Sequence, residues 1–394
     1  MTEPRASTCW SCGATGLLAF FESQSIPTSS CVLLPSRQEA EAWPVGNLRL
    51  AFCPACGFIQ NELFDPDLID YTQPYEESQA FSATFARFAT TLANRLIDSY
   101  DIRDKEVFEI GCGKGDFLKM ICELGANRGL GIDPAFTEGR LETTADVRVL
   151  NEFFSERTTH LTGDLITCVH TLEHIQAVGD FVHLIRQSAG HRAGSVVFIE
   201  VPDTMRILSE GAFWDIYYEH CSYFTLGSLG RLLRASGFHL LSLETGYDDQ
   251  YLLVEATTAP SNGPDAGFPG EDDLDQVAKR VRVFSEAASA AIRSWERRLE
   301  DAEAAGKRVV VWAASSKGVS FLTTLEGGRS VSHVVDINPY KQGKFMPGTG
   351  QEIVAPEFLR TSPPDLVIVM NPIYLEEIRA DLTRLGLAPE VVAV

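Results

Sequence analysis

Residues 109–116 read Glu109-Ile110-Gly111-Cys112-Gly113-Lys114-Gly115-Asp116. They follow a short apolar run that begins at Val107 and precede a helix-like run, Phe117 to Leu124. An acidic residue, then glycines two and two apart, joins a strand to a helix. Glycine is required there because the backbone must turn tightly and let a ligand approach with no Cβ in the way. On spacing alone the loop suits either a dinucleotide or S-adenosylmethionine (SAM).

Outward from this loop, Val107–Ile110, Gly129–Ile132, Val147–Leu150, Leu165–Val169 and Ser195–Val201 read as successive parallel strands. Phe238–Leu243 and Tyr251–Ala256 suit a terminal antiparallel pair. A Pro/Gly-rich linker, Thr257 to Asp273, leads to a long helical stretch, Leu274 to Ala305. Strands return at Arg308–Ala313, Ser332–Ile337, Asp365–Met370 and Glu390–Val394. Strands alternating with helices predict α/β layers in both blocks. Three domains are expected: residues 1–70, 71–260 and 274–394.

The 394 residues are 45% hydrophobic, with mean hydropathy near zero and no apolar run of membrane-spanning length, so a soluble protein is expected. The start, Met1-Thr2-Glu3-Pro4-Arg5, does not read as a signal peptide. A net charge of −21 argues against nucleic acid, whose phosphates need a basic surface. Cytoplasmic location, no membrane partner, and a monomer or weak homodimer are the expectations. Nine cysteines in such a chain favour metal ligation and free thiols over disulfides.

Four of them form two CxxC pairs, Cys9/Cys12 and Cys53/Cys56, each followed by glycine (Gly13, Gly57). Two such knuckles complete a tetrahedral thiolate set for Zn2+. With sulfur in every position no site stays open for catalysis, so a structural zinc is expected. A loop of roughly Thr15 to Leu50 is predicted between the knuckles.

In a nicotinamide fingerprint the third glycine sits three residues after the second; here it sits two after. The next strand ends at Gly131-Ile132-Asp133-Pro134, where a carboxylate can accept both ribose hydroxyls or serve as a helix cap. Phe153, after the third strand, faces adenine or belongs to the core. The fourth strand ends in His170-Thr171-Leu172-Glu173-His174-Ile175. The series from about Lys105 to Ala256 resembles class I SAM-dependent methyltransferases. That resemblance implies SAM contacts by Glu109, Gly111, Cys112, Gly113, Gly115, Asp133, Phe153 and His170.

Further features are Tyr71-Thr72-Gln73-Pro74-Tyr75-Glu76-Glu77-Ser78, Glu200-Val201-Pro202-Asp203, and Trp214-Asp215-Ile216-Tyr217-Tyr218-Glu219-His220-Cys221-Ser222-Tyr223-Phe224. With the CxxC pairs and the C-terminal α/β block, they resemble the sugar C-methyltransferase family over nearly the whole chain. The resemblance implies a zinc-binding N-terminal domain, a Rossmann-like SAM-binding middle domain and a Rossmann-like C-terminal domain. It further implies methylation at carbon 3 of a nucleotide-linked 4-keto deoxysugar, typically linked to deoxythymidine diphosphate (dTDP), in deoxysugar and antibiotic biosynthesis.

A C–H beside a ketone needs a base within reach, and the enolate needs donors at its oxygen. His220 suits the base, since an ordinary imidazole titrates near neutral pH. Glu219 would orient substrate or tune His220, and Tyr217 would donate to the oxyanion. Tyr75 and His174 match the family's pocket wall; Tyr71 competes with Tyr75 for that match, and His174 has a plainer reading as a shaper of the SAM pocket. Tyr217, Tyr218, Tyr223 and Phe224 could instead form an aromatic core.

In the C-terminal block a small-residue turn, Ser315-Ser316-Lys317, lets a phosphate approach a helix N-terminus. With Asn338 and Asn371 at later strand ends, it is the expected nucleotide-sugar contact. The alternative is a block that only buttresses the site. The inter-knuckle stretch Leu34 to Pro44 and the acidic Tyr75–Ser82 segment depart from the family pattern. They leave the acceptor open among nucleotide sugars and other carbonyl compounds. The rivals are an O- or N-methyltransferase and a SAM-binding scaffold.

Overall fold

A computed structural model describes residues 7–70, 74–259 and 267–394. The extreme N-terminus, Tyr71 and the middle of the Thr257–Asp273 linker lie outside the described residues. Near the N-terminus, β1 (Leu18–Pro27), β2 (Val45–Phe52) and β3 (Ile59–Asn61) pair antiparallel, with the short helix α1 (Arg37–Glu41) between β1 and β2. The stretch predicted as a loop between the knuckles therefore contains a long strand, a short helix and most of a second strand. Its alternation is masked because register shifts interrupt the β1–β2 pairing at Ala19/Phe21 and Ser23/Ile26, and each irregularity breaks the two-residue period. In both knuckles the glycine after the second cysteine has positive φ (+74° at Gly13, +80° at Gly57) and returns its N–H to the first cysteine's carbonyl at 2.9 Å.

The next elements are α2 (Ala83–Tyr100), β4 (Glu106–Ile110), α3 (Asp116–Gly125), β5 (Arg128–Ile132), β6 (Val147–Leu150), β7 (Leu165–Val169), α4 (Val178–Gly190), β8 (Val196–Pro202), α5 (Thr204–Glu210), β9 (Ser222–Tyr223), α6 (Leu226–Ala235), β10 (His239–Gly246) and β11 (Tyr251–Thr257). Helix α2 forms because Ser82 caps it and Ala89, Leu92, Ala93, Leu96 and Ile97 recur on one buried face. Seven strands form one sheet in the order β10-β11-β8-β7-β4-β5-β6, parallel except for β11. The order reverses between β4 and β7, so a crevice opens at the carboxyl ends of these strands. The expected antiparallel pair is β10–β11. Strand β9 belongs elsewhere: it completes the N-terminal sheet as the neighbour of β3.

The long helix α7 (Leu274–Ala304) leads to β12 (Val309–Trp312), α8 (Ser316–Thr324), β13 (His333–Val335), β14 (Ile353–Val354), β15 (Leu366–Val369), α9 (Leu375–Arg384) and β16 (Glu390–Ala393). These strands form a parallel sheet in the order β14-β13-β12-β15-β16. Phe284 of α7 is fully buried and meets Phe20 and Phe21 of β1 edge-on at 5.9 and 5.3 Å. Burying such a ring is worth about 2–3 kcal/mol. Phe213 stacks on Phe321 of α8 at 6.0 Å. One apolar cluster therefore runs from the N-terminal sheet through α7 to the C-terminal sheet.

Candidate functional site

Between the seven-stranded and C-terminal sheets lies a cleft of about 880 Å³. The glycine loop forms its floor. Gly111, Gly113 and Gly115 have φ of +70°, +53° and +81°, and Gly115 opens α3. A Cβ on Gly111 would overlap Thr171, and one on Gly113 would overlap Glu77. Asp133, at the end of β5, accepts from Gly113 N at 2.8 Å and from Ala135 N at 2.7 Å, so it braces the loop as well as its own turn. Glu109 is 2% exposed, and its Oε2 has no hydrogen-bond partner. Burial pushes its carboxyl well above the ordinary range. An orphaned acidic oxygen beneath a glycine loop fits a ligand that brings its own donors or positive charge.

Cys112 also lines the cleft, and Phe153 stands at its rim, 62% exposed. The core reading belongs instead to Phe154, which meets Phe108 and Phe181 at 6.0 and 5.7 Å. His170 has φ +50° and lies between Glu173 (3.3 Å) and Glu200 (3.0 Å). Burial opposes its charge, yet the two carboxylates push its pKa up to about 10. Gly115 does not line the cleft; it sets the start of α3.

Facing the loop are Tyr75, His174, Tyr217 and His220. The Tyr217 ring lies 4.2 Å from that of His220, and His174 stands perpendicular to His220 at 4.8 Å. His220 Nε2 is 3.9 Å from Glu173 Oε1. Burial, reinforced by the charges of His174, His170 and Lys317, pulls His220 well below the ordinary imidazole range, so it holds a free lone pair at neutral pH. The segment is pinned at its end: Cys221 N donates to Glu173 O at 3.0 Å, and Asn61 N to Cys221 O at 2.9 Å.

Glu219 sits behind this wall rather than in the cleft. It is 1% exposed and accepts from Ser30 N at 2.9 Å, with the Tyr75 hydroxyl also bonded to its carboxylate. Tyr218 points the other way, against Gly46, and its hydroxyl accepts from Asp65 N at 2.9 Å. Residues 217–220 thus divide between cleft and scaffold, and the aromatic-core reading holds for Tyr218, Tyr223 and Phe224 but not for Tyr217.

Ser315, Ser316, Lys317, Asn338 and Asn371 all border the same cleft from the C-terminal side. Lys317 is paired with Asp215, which also receives Arg206 at 2.6 Å. Although burial opposes it, these two cations hold Asp215 below the ordinary carboxylate range. Asn371 exchanges two amide hydrogen bonds with Gln250 at 2.7 and 3.1 Å. Asn338 donates to Glu76 at 3.0 Å. Tyr71 lies outside the described residues.

Sequence reasoning passed over Glu77, Glu173, Glu200 and the Arg206/Asp215 pair. A usable signal existed for Glu200: one acid near the carboxyl end of an otherwise apolar parallel strand is costly unless it serves a site. Away from the cleft, the four knuckle cysteines converge, with Cys9–Cys56 and Cys12–Cys53 sulfurs 3.6 and 3.7 Å apart. Four sulfurs placed about 2.3 Å from a tetrahedral Zn2+ would be separated by roughly 3.8 Å, so the set fits zinc.

A methyltransferase-domain family matches residues 76–243, and a C-methyltransferase C-terminal-domain family matches residues 271–387. The C-methyltransferase NovU of Streptomyces niveus is 24% identical over 386 residues, covering 94% of this chain and 90% of the relative. Among solved structures, the 1,6-didemethyltoxoflavin-N1-methyltransferase of Burkholderia thailandensis is 18% identical, with 44% of this chain and 80% of its own covered at a TM-score of 0.34. A putative SAM-dependent methyltransferase of Listeria monocytogenes is 15% identical, with 44% and 100% covered at 0.36. The strand order, the glycine loop and the domain match define a SAM-dependent methyltransferase. The second match and the full-length relative narrow this to a SAM-dependent C-methyltransferase.

Proposed function

We propose that the protein transfers a methyl group from SAM to carbon 3 of a nucleotide-linked 4-keto deoxysugar, with His220 as the general base. The observation that carries this reading is the facing of the glycine loop by His220, Tyr217 and His174 across one cleft that continues to the turn before α8. SAM supplies an electrophilic methyl when bound. His220 takes the proton from the carbon beside the ketone, and the electron pair of that C–H bond passes into the enolate. Tyr217, whose hydroxyl burial keeps protonated, donates to the oxygen where negative charge develops. The same electron pair then forms the new carbon–carbon bond as the methyl–sulfur bond breaks. His174 and Tyr75 fix the wall, and Glu219 positions the segment from behind through Ser30. Loop glycines, Glu109, Cys112, Asp133, Phe153 and His170 hold the donor.

On this reading residues 1–70 form a zinc-stapled lobe around Cys9, Cys12, Cys53 and Cys56. Residues 71–260 carry the donor, and residues 274–394 hold the nucleotide diphosphate, dTDP in the first instance, through Ser315, Ser316, Lys317, Asn338 and Asn371. The resemblance to sugar C-methyltransferases supports this sugar and a role in deoxysugar biosynthesis. Among the described residues no helix is long and apolar enough to cross a membrane, and a cytoplasmic monomer or weak dimer is our reading. The test is deuterium exchange at carbon 3 of a dTDP-4-keto deoxysugar without SAM. Wild-type enzyme should exchange, and His220→Asn should lose exchange while still binding SAM. Undiminished exchange in the variant would rule out His220 as the base.

A further inference from the structure

Glu173 and His174, in the turn after β7, meet His220, which lies 46 residues on in the segment before β9. Each offers one ligand atom, and the three atoms lie within 4.8 Å of one another. Glu173 is 1% exposed; its Oε2 has no hydrogen-bond partner, while Oε1 lies 3.9 Å from His220 Nε2. A buried carboxylate oxygen without a donor is unfavourable, and a cation relieves it. The surroundings add to the demand: Glu200, also 1% exposed, has an orphaned Oε2 of its own, and His170 is the cation shared by both acids.

We propose that Glu173, His174 and His220 form a reversible binding site for a divalent transition-metal ion, and that its occupancy switches methyl transfer off. Two imidazole nitrogens and one carboxylate oxygen suit Zn2+, Co2+ or Ni2+ and not Mg2+ or Ca2+, which take oxygen sets. Ligand atoms about 2.0–2.1 Å from a tetrahedral ion stand roughly 3.3 Å apart, so the 3.9 Å Glu173–His220 contact must close by about half an ångström and no separation in the set, all within 4.8 Å, by more than about 1.5 Å, within reach of side-chain rotations. The perpendicular rings of His174 and His220 allow approach from two directions. This site differs in kind from the four-sulfur site: it leaves coordination positions open to the cleft, and it uses a side chain that catalysis needs. The switching clause rests on His220 being the base, because a lone pair given to a metal cannot accept a proton from carbon.

Cobalt is the probe. Full-length protein with zinc in its cysteine site is titrated with Co2+ and followed by absorption. The expected result is weak visible d–d bands saturating at a single equivalent, without the intense near-ultraviolet bands of cobalt–thiolate bonds. Glu173→Gln should weaken this binding by about tenfold or more at unchanged zinc content, and His174→Ala should do the same should the first variant fold poorly. Methyl transfer should fall with the same half-saturation and return once free cobalt is removed by gel filtration. Absence of the visible bands, thiolate-type bands, or bands unmoved by both variants would overturn the site. Full activity in the cobalt-loaded enzyme would overturn the switch. Loss of the base reading shows separately, as undiminished deuterium exchange in His220→Asn without added metal.

Discussion

Glu77 stands over Gly113, with its Oε2 3.8 Å from Lys114 Nζ. Burial in the cleft pushes its carboxyl up to about 7 from 4.5, against the pull of Lys114. The folded chain therefore holds a proton that the unfolded chain releases, and stability falls as pH rises from about 4.5 to about 7. A third of the side chain is exposed, so solvent screens the charge and the slope is shallow. Urea midpoints of wild type and Glu77→Gln across that window should differ in slope, with the variant flatter; parallel profiles would dismiss the assignment. Gly111→Ala tests the loop itself. At φ +70°, with Thr171 in the way of a Cβ and bonded to the loop's own carbonyls, it should cost about 2 kcal/mol or more and abolish SAM binding by calorimetry. A variant that melts and binds like wild type would refute the close-approach argument. Gly111 and Asp133 were legible because backbone chemistry dictates them. Glu173 and Glu77 were not, because the direction a carboxylate faces depends on neighbours far away in sequence.

At the scale of elements, the parallel strands β4 to β8 were readable as short, largely apolar runs, three of them followed directly by Gly111, Asp133 or His170. Strand β1 was not, because its register shifts break the alternation. The two-residue β9 is too short to carry any period, although it decides where the Tyr217–His220 segment lies. The knuckles and that segment are joined mechanically: Arg231 of α6 donates to Cys56 O at 2.8 Å, and β3, which follows the second knuckle, pairs with β9. If the four cysteines hold zinc as proposed, stripping it with a strong chelator under reducing conditions should therefore abolish methyl transfer while most far-ultraviolet circular dichroism, which comes from the other two sheets and the helices, persists. Metal-free protein that retains full activity would separate the knuckles from the site.

For the molecule as a whole, composition and strand alternation announced several α/β layers but not how they meet. The meeting is made by α7 against β1 and by Lys317 of α8 against Asp215, which also binds Arg206. Lys317→Met removes one of two cations from a buried carboxylate and is expected to cost about 1–3 kcal/mol in urea unfolding and, on the proposed nucleotide-sugar reading, to raise the KM for that substrate. Unchanged stability and KM would mean that the contact is incidental. The swapped position of β9 has a further consequence, in time. During synthesis β3 emerges with its edge unpaired, and its partner follows roughly 160 residues later. At about 5–20 residues per second the edge waits on the order of ten to thirty seconds. For that interval the nascent chain exposes an incomplete sheet to any other strand nearby. The pairing that closes it also anchors the segment ending at His220, through Asn61 N and Cys221 O, so on the proposed reading of His220 newly made protein becomes competent for catalysis only when its N-terminal lobe is sealed.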